Sequence, residues 1–169
     1  NEEIRSRLEQ QIAARFPALR VEVQGAALEV GRGIVVRGLS LTDPRLPEPW
    51  QQIVRIDEAH LACEATLADL AVAPPQITAV RVVRPVLQLV RFADGSWNLG
   101  RLLGQTPTAA PLPVRIEAAT VLFEDVEAGF RETFRQGQFD LAPAATDAAG
   151  LAWSRVELQL EGQSVEQVR

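Results

Sequence analysis

The spacing of apolar residues changes once, early in the chain. Ile4, Leu8, Ile12 and Phe16 recur every four positions with Arg and Glu among them, and Pro17 ends the run. This predicts an amphipathic helix over residues 1–16 with a narrow apolar stripe, suited to resting on a sheet or extending an upstream helix. After Pro17 the period is two. Segments 20–30, 34–42, 52–64, 76–92, 114–127, 130–141 and 151–162 read as strands. The stretch Ser154 to Glu161 is the cleanest: Val156, Leu158 and Leu160 face one way, and Arg155, Glu157, Gln159 and Glu161 the other. One dry face and one wet face are the signature of an antiparallel sheet.

Within three strands the alternation slips by one residue at a glycine. Val21 and Val23 give way to Leu28 and Val30 across Gly25. Ile34 and Val36 give way to Leu39 and Leu41 across Gly38, and Phe134 gives way to Phe139 and Leu141 across Gly137. A one-residue phase change at glycine predicts a β-bulge, which bends and twists its strand. The expected fold is therefore mainly β (α+β), a strongly curved antiparallel sheet forming a groove, with an N-terminal amphipathic helix and short helical turns. One domain spans residues 1–169: the helix, a first β segment at 17–103, a proline-rich linker at 104–113 and a continuing β segment at 114–169. Ala65 to Leu70 reads as a helical turn before Pro74 and Pro75, and 142–150 reads as a loop.

Composition narrows the function. With 47% hydrophobic and 23% charged residues, the 169-residue chain has material for a core and is not a disordered segment. A net charge of −5 argues against a nucleic-acid partner. All 17 basic residues are Arg, and no Met occurs even at position 1, so the sequence reads as part of a longer protein. No run of about 18 apolar residues marks a membrane span.

Candidate chemistry is sparse. Cys63 is the single cysteine, which excludes a disulfide framework. On a strand, His60 and Cys63 differ in parity and project from opposite faces, so they do not form a nucleophile–base pair. The adjacent carboxylates Asp57–Glu58 and Glu124–Asp125 are expected to point apart for the same reason. Gly31–Arg32–Gly33 lacks the third glycine of a dinucleotide loop and leads into a strand, and without Lys there is no phosphate-loop lysine. The sequence calls for no catalytic residue, no metal and no cofactor. An enzyme with a carboxylate-based site would need two carboxylates converging in a cleft.

The stretch from Arg81 to Leu103 carries more pattern. Pro85 interrupts an apolar run, Asp94-Gly95 is a turn signal, Trp97 is placed to pack the turn onto the sheet edge, and Asn98 suits the N-cap of a short helical segment, 99–103, ended by Gly104. The order Ile77, Val80, Val82, Pro85, Leu87, Leu89, Arg91, Asp94, Gly95, Asn98 and Leu99 resembles the motif of AsmA-like envelope proteins. The segment from Leu8 to Pro44 resembles the start of those proteins after their N-terminal anchor, and Val54 to Leu70 the strand and helical turn before the motif. Where the family often has Leu-Leu-x-Gly before the Ile-rich strand, this chain has Leu70 to Gln76, which leaves TamB-like and YhdP-like subfamilies both open.

The resemblance covers about Leu8 to Leu103 and implies an elongated β-groove, anchored to the inner membrane by a segment outside this chain and lying in the periplasm. Its partners would be phospholipid or another acyl lipid, moved between inner and outer membranes or handled in outer-membrane assembly. The lipid-groove candidates are Ile77, Val80, Val82, Leu87, Leu89, Val121 and Phe123. Pro85, Asp94, Gly95, Trp97 and Asn98 form the structural motif. The rival expectation is a structural or protein-interaction β-domain with a closed core and no lipid binding.

Overall fold

The computed structural model describes residues 2–29, 31–64, 75–100 and 112–141. Helix α1 (Glu2–Arg15) leads into six strands: β1 (Arg20–Glu29), β2 (Gly33–Thr42), β3 (Gln52–Cys63), β4 (Ile77–Arg91), β5 (Val114–Asp125) and β6 (Phe130–Leu141). They form one open sheet in the order β1-β2-β3-β4-β5-β6. The expected strand at 151–162, the helical turn at 65–70, the loop at 142–150 and nearly all of the 104–113 linker lie outside the described residues.

The sheet is mixed, not wholly antiparallel as expected. Strands β4 and β5 run parallel, with Val80 beside Val114 and Arg91 beside Asp125, and every other pair is antiparallel. Parallel neighbours require a crossover between them, and residues 92–113 supply it. Two short loops elsewhere make ordinary reversals. The Gly31–Gly33 stretch is one, with Arg32 N–H donating to Glu29 O at 3.0 Å.

One face of the sheet is apolar from end to end. Residues paired in register project to the same side, so Leu28, Ile34, Leu61, Val80 and Val114 form one row across the strands. Val21, Leu41, Val54, Leu87, Val121 and Phe134 form another. The helix rests on this face. Ile4 and Leu8 join Val23, Ala26, Ile34, Val36 and Ala59 in one buried cluster. Ile12, Ala13 and Phe16 lie against a second, made by Leu19, Val21, Leu41 and Ile53. The four-residue spacing thus does what it predicts, laying a narrow stripe on β1 to β3.

The alternation changes phase in every strand; in β1 to β5 the steps fall on one line, and in β6 the step is displaced by one pair. On the apolar face, consecutive positions in each strand are three apart, not two: Val23 to Ala26, Val36 to Leu39, Ile56 to Ala59, Val82 to Pro85, Ile116 to Ala119 and Phe134 to Gly137. The register of β1 on β2 is the same before and after Gly25 and Gly38, so the bulges expected there are absent: both strands step together and no residue is added to one alone. The step is taken by left-handed backbone at Gly38 (φ 61°), Arg84 (φ 50°), Ala118 (φ 53°) and Gln136 (φ 59°). At Gly38 a Cβ would meet only the flexible end of the Gln24 side chain, so what favours glycine there is the left-handed backbone. At the third expected site the positive φ belongs to Gln136, not to Gly137. Register shifts do occur in β5–β6 around Ala119, and near the strand ends at Leu41/Thr42 and Ala62/Cys63.

Candidate functional site: an apolar sheet face beyond the helix

The seven lipid-groove candidates come to one face. Val80 and Val82 on β4 pair with Leu61 and Ala59, Leu87 pairs with Val54, and Ile77 pairs with Cys63, which packs against the helix-side cluster. From β5, Val121 stands beside Leu87 and Phe123 beside Leu89. Val82 is buried and the other six are half-buried. Neither buried cluster under α1 includes them, so α1 covers the β1–β3 end of the face while the β4–β6 end continues it.

Four further residues belong to this strip: Val114, Ile116, Phe134 and Phe139, which fall in the same rows. An alternation count along β5 and β6 finds them, provided the phase step at Ala118 and Gln136 is taken into account. At one end the strip becomes aromatic. Trp97 and Phe123 lie 6.0 Å apart between ring centroids, and Phe123 and Phe130 lie 5.9 Å apart. Trp97 is 45% exposed, Phe130 49% and Phe134 39%, a high exposure for rings of this size.

The motif residues have distinct structural duties. Pro85 is buried on the step line, where the β4–β5 ladder skips from Val83/Glu117 to Val86/Thr120, so its missing N–H falls where that ladder is interrupted. Asp94 and Gly95 (φ 79°) form the expected turn. Gly95 N–H donates to Phe92 O at 2.9 Å, and Asp94 Oδ1 accepts from the Ser96 backbone N–H at 2.9 Å and from Ser96 Oγ at 2.6 Å. These bonds, the Ser96 hydroxyl first, hold the Asp94 carboxyl below its ordinary pKa. Trp97 does pack the turn onto the sheet, against Phe123.

Asn98 has a further duty beside the expected cap. It is buried, with 3% exposure. Its Oδ1 accepts from Val90 N–H at 2.9 Å, its Nδ2 donates to Gln88 O at 2.7 Å, and its own N–H donates to Val90 O at 3.0 Å. A side-chain amide carries the same donor and acceptor as a peptide group. Asn98 therefore extends the ladder on β4 past the last β3 pair, at Val54 and Leu87. The segment after it, which was expected to be helical, lies mostly outside the described residues.

The opposite face carries most of the ion pairs, with Val35 and Val90 buried among them. His60 and Cys63 are on different sides, as parity requires: His60 Nε2 is 2.8 Å from Glu58 Oε1, while Cys63 packs with the helix-side cluster. Glu124 and Asp125 also diverge. Glu124 accepts from Trp50 Nε1 at 2.9 Å and from Arg131 at 2.9 Å, whereas Asp125 accepts from Ala128 N–H at 2.9 Å and from Arg91 at 3.1 Å. Asp57 and Glu58, expected to point apart, both face the polar side. Asp57 meets Arg55 and Arg84; Glu58 meets Arg37 and His60. The phase step explains this, because Ile56 and Ala59 both face the helix and leave two consecutive residues for the other side.

A cavity of about 690 Å³ opens on the polar face at the step line, lined chiefly by Glu22, Gln24, Arg37, Arg55, Asp57 and Arg84. The alternation alone does not announce it, because glycine marks the phase step only in β1, β2 and β6. The same three-residue spacing in β3 and β4, where no glycine marks it, is the signal that reveals a line. No protein-family model, curated protein or solved structure matches this chain.

Proposed function

We propose that this chain is a non-enzymatic, lipid-binding module of the bacterial envelope, the periplasmic N-terminal part of an AsmA-like protein held at the inner membrane by a segment outside this sequence. The observation that carries the reading is the apolar strip of β4 to β6, where Ile77, Val80, Val82, Leu87, Leu89, Val121 and Phe123 share a face that α1 does not cover. No helix among the described residues is long and apolar enough to cross a membrane. An acyl chain lying along the strip gains about half of the ~0.8 kcal/mol per fully buried methylene, because an open sheet covers it on one side only. Pronounced curvature about the step line would close part of the other side and deepen the strip into a groove.

The test is native mass spectrometry of the purified chain, with lipid extraction from the same sample. Co-purifying phospholipid that disappears in Leu87→Asp/Leu89→Asp, with the circular dichroism spectrum retained, supports a lipid track along β4. An apo mass that takes up no lipid from added micelles overturns it. A protein-interaction β-domain is the second reading, favoured by two observations: α1 closes the β1–β3 half of the core, and Trp97, Phe130 and Phe134 stand exposed together, a composition common at protein contacts.

A further inference from the structure

The polar-face cavity is a product of the phase step. In a regular strand, neighbouring residues project to opposite faces. At the step, two consecutive residues of each strand face the polar side, so Gln24, Arg37, Asp57 and Arg84 are gathered along one line, and Arg55 joins them from the same face of β3. The ion pairs here differ from the rest. Away from the cavity, guanidinium–carboxylate pairs on the sheet are close: Arg81–Glu117 at 2.6 Å, Arg115–Asp140 at 2.7 Å and Arg131–Glu124 at 2.9 Å. Around the cavity, Asp57 is shared by Arg84 at 3.4 Å and Arg55 at 3.8 Å. Arg37 reaches Glu58 and Glu29 only at 3.7 Å each. At such distances a guanidinium's forked donors are poorly used.

Arg84 takes the step in β4 with φ 50°, as Ala118 and Gln136 do in β5 and β6, and of these three it is the one that lines the cavity.

From these observations we propose that the cavity binds a multivalent oxyanion of the phosphate class through Arg37, Arg55 and Arg84. Phosphate oxygens accept the forked N–H pairs that the shared carboxylates only approach. Asp57 and Glu22 are the opposing charges in the wall and set a modest affinity in the free protein. The site lies on the face away from the apolar strip, so it is independent of lipid binding there. A soluble phosphate ester and a lipid headgroup present the same chemistry.

Calorimetric titration of the full chain with pyrophosphate in low-salt buffer, beside flotation with vesicles of phosphatidylcholine alone or with 30% phosphatidylglycerol, tests the proposal. Arg84→Gln is expected to weaken binding at least tenfold. Arg84→Gly, which suits the left-handed backbone, does the same with the fold secured. Asp57→Asn tightens binding several-fold by removing the competing carboxylate. Saturable pyrophosphate binding with this pattern identifies a soluble ester site. The same pattern with anionic vesicles alone identifies a headgroup site. The proposal is overturned if neither probe binds, if Arg115→Gln, remote from the cavity, weakens binding as much as Arg84→Gln, or if Asp57→Asn fails to tighten it.

Discussion

The two halves of the apolar face are built from the same residues and end in different states. Over β1 to β3, Val23, Ile34, Val36 and Ile53 sink to near-zero exposure under the stripe of α1, with Ile34 at 1% and Ile53 at 0%. Leu28, Leu39, Ile56 and Leu61 pack half-buried around them. Over β4 to β6, the same rows continue with Val80, Leu87, Leu89, Val121 and Phe123 half-buried, and they end in exposed rings. The sheet is continuous across both, so the difference comes from what lies on top of it. A 14-residue helix with a narrow stripe covers part of a six-stranded sheet and no more. Coverage of the apolar face thus changes along the strand order.

Truncation should separate the halves most clearly. Ile53→Ala is expected to lower unfolding free energy by about 3–4 kcal/mol, and Leu87→Ala by about 1 kcal/mol, because only the first leaves an enclosed cavity. Urea denaturation measures both. Equal losses would mean that the second half is as closed as the first.

Asn98→Ala comes next, with a loss of about 2 kcal/mol. It strands the Val90 N–H and the Gln88 carbonyl at a buried strand end. Hydrogen exchange at the Val90 amide should rise in this variant while the amides of β1 and β2 stay protected.

A smaller effect has the opposite sign. Ala118→Gly should raise stability by about 0.5–1 kcal/mol, since the left-handed backbone at φ 53° disfavours alanine more than glycine's extra unfolded-state freedom disfavours folding. Ala119→Gly, one residue away and off the left-handed position, should lower it. If thermal melts show both variants falling together, the step line is not strained in solution.

Acid provides the mildest probe and falls mainly on the β4–β6 half. Arg81 holds Glu117 below its ordinary value of 4.5, chiefly by hydrogen bonding. Burial pushes Glu124 up, but Arg131 and Trp50 outweigh it and leave the net shift downward. The backbone N–H of Ala128, then Arg91, lowers Asp125. A depressed folded-state pKa means stability that is fully present above the unfolded carboxylate range and lost as pH falls through the folded value. Melting temperature should therefore be flat from pH 7 to about 5 and decline below about 4. Glu117→Gln should make that decline slightly shallower, slightly because the pair is exposed.

The strands themselves were legible in the sequence. Each observed strand lies within two residues of its expected bounds, because a half-buried strand must alternate and a helix stripe must recur at three or four. That Ile77 to Leu89 and Val121 to Phe123 lie on strands was legible too, as was the turn at Asp94 and Gly95. What the alternation does not carry is the partner of each strand. Parallel pairing of β4 with β5 was decided by where the crossover returns the chain, and local periodicity is the same for either direction. Asn98 shows the same limit at one residue: its side chain finishes a ladder, since the open edge of β4 beyond β3 has backbone groups to satisfy.

The phase step lies between these cases. Its spacing was present in all six strands, but only tertiary pairing shows that five of the six interruptions fall on one line and that the β6 step lies one pair away. A sequence records where each strand changes phase, whereas the register between strands determines whether those changes coincide. Long-range pairing therefore decided both the coverage of the apolar face and the cavity on its reverse, from residues whose local pattern had fixed only which side they would take.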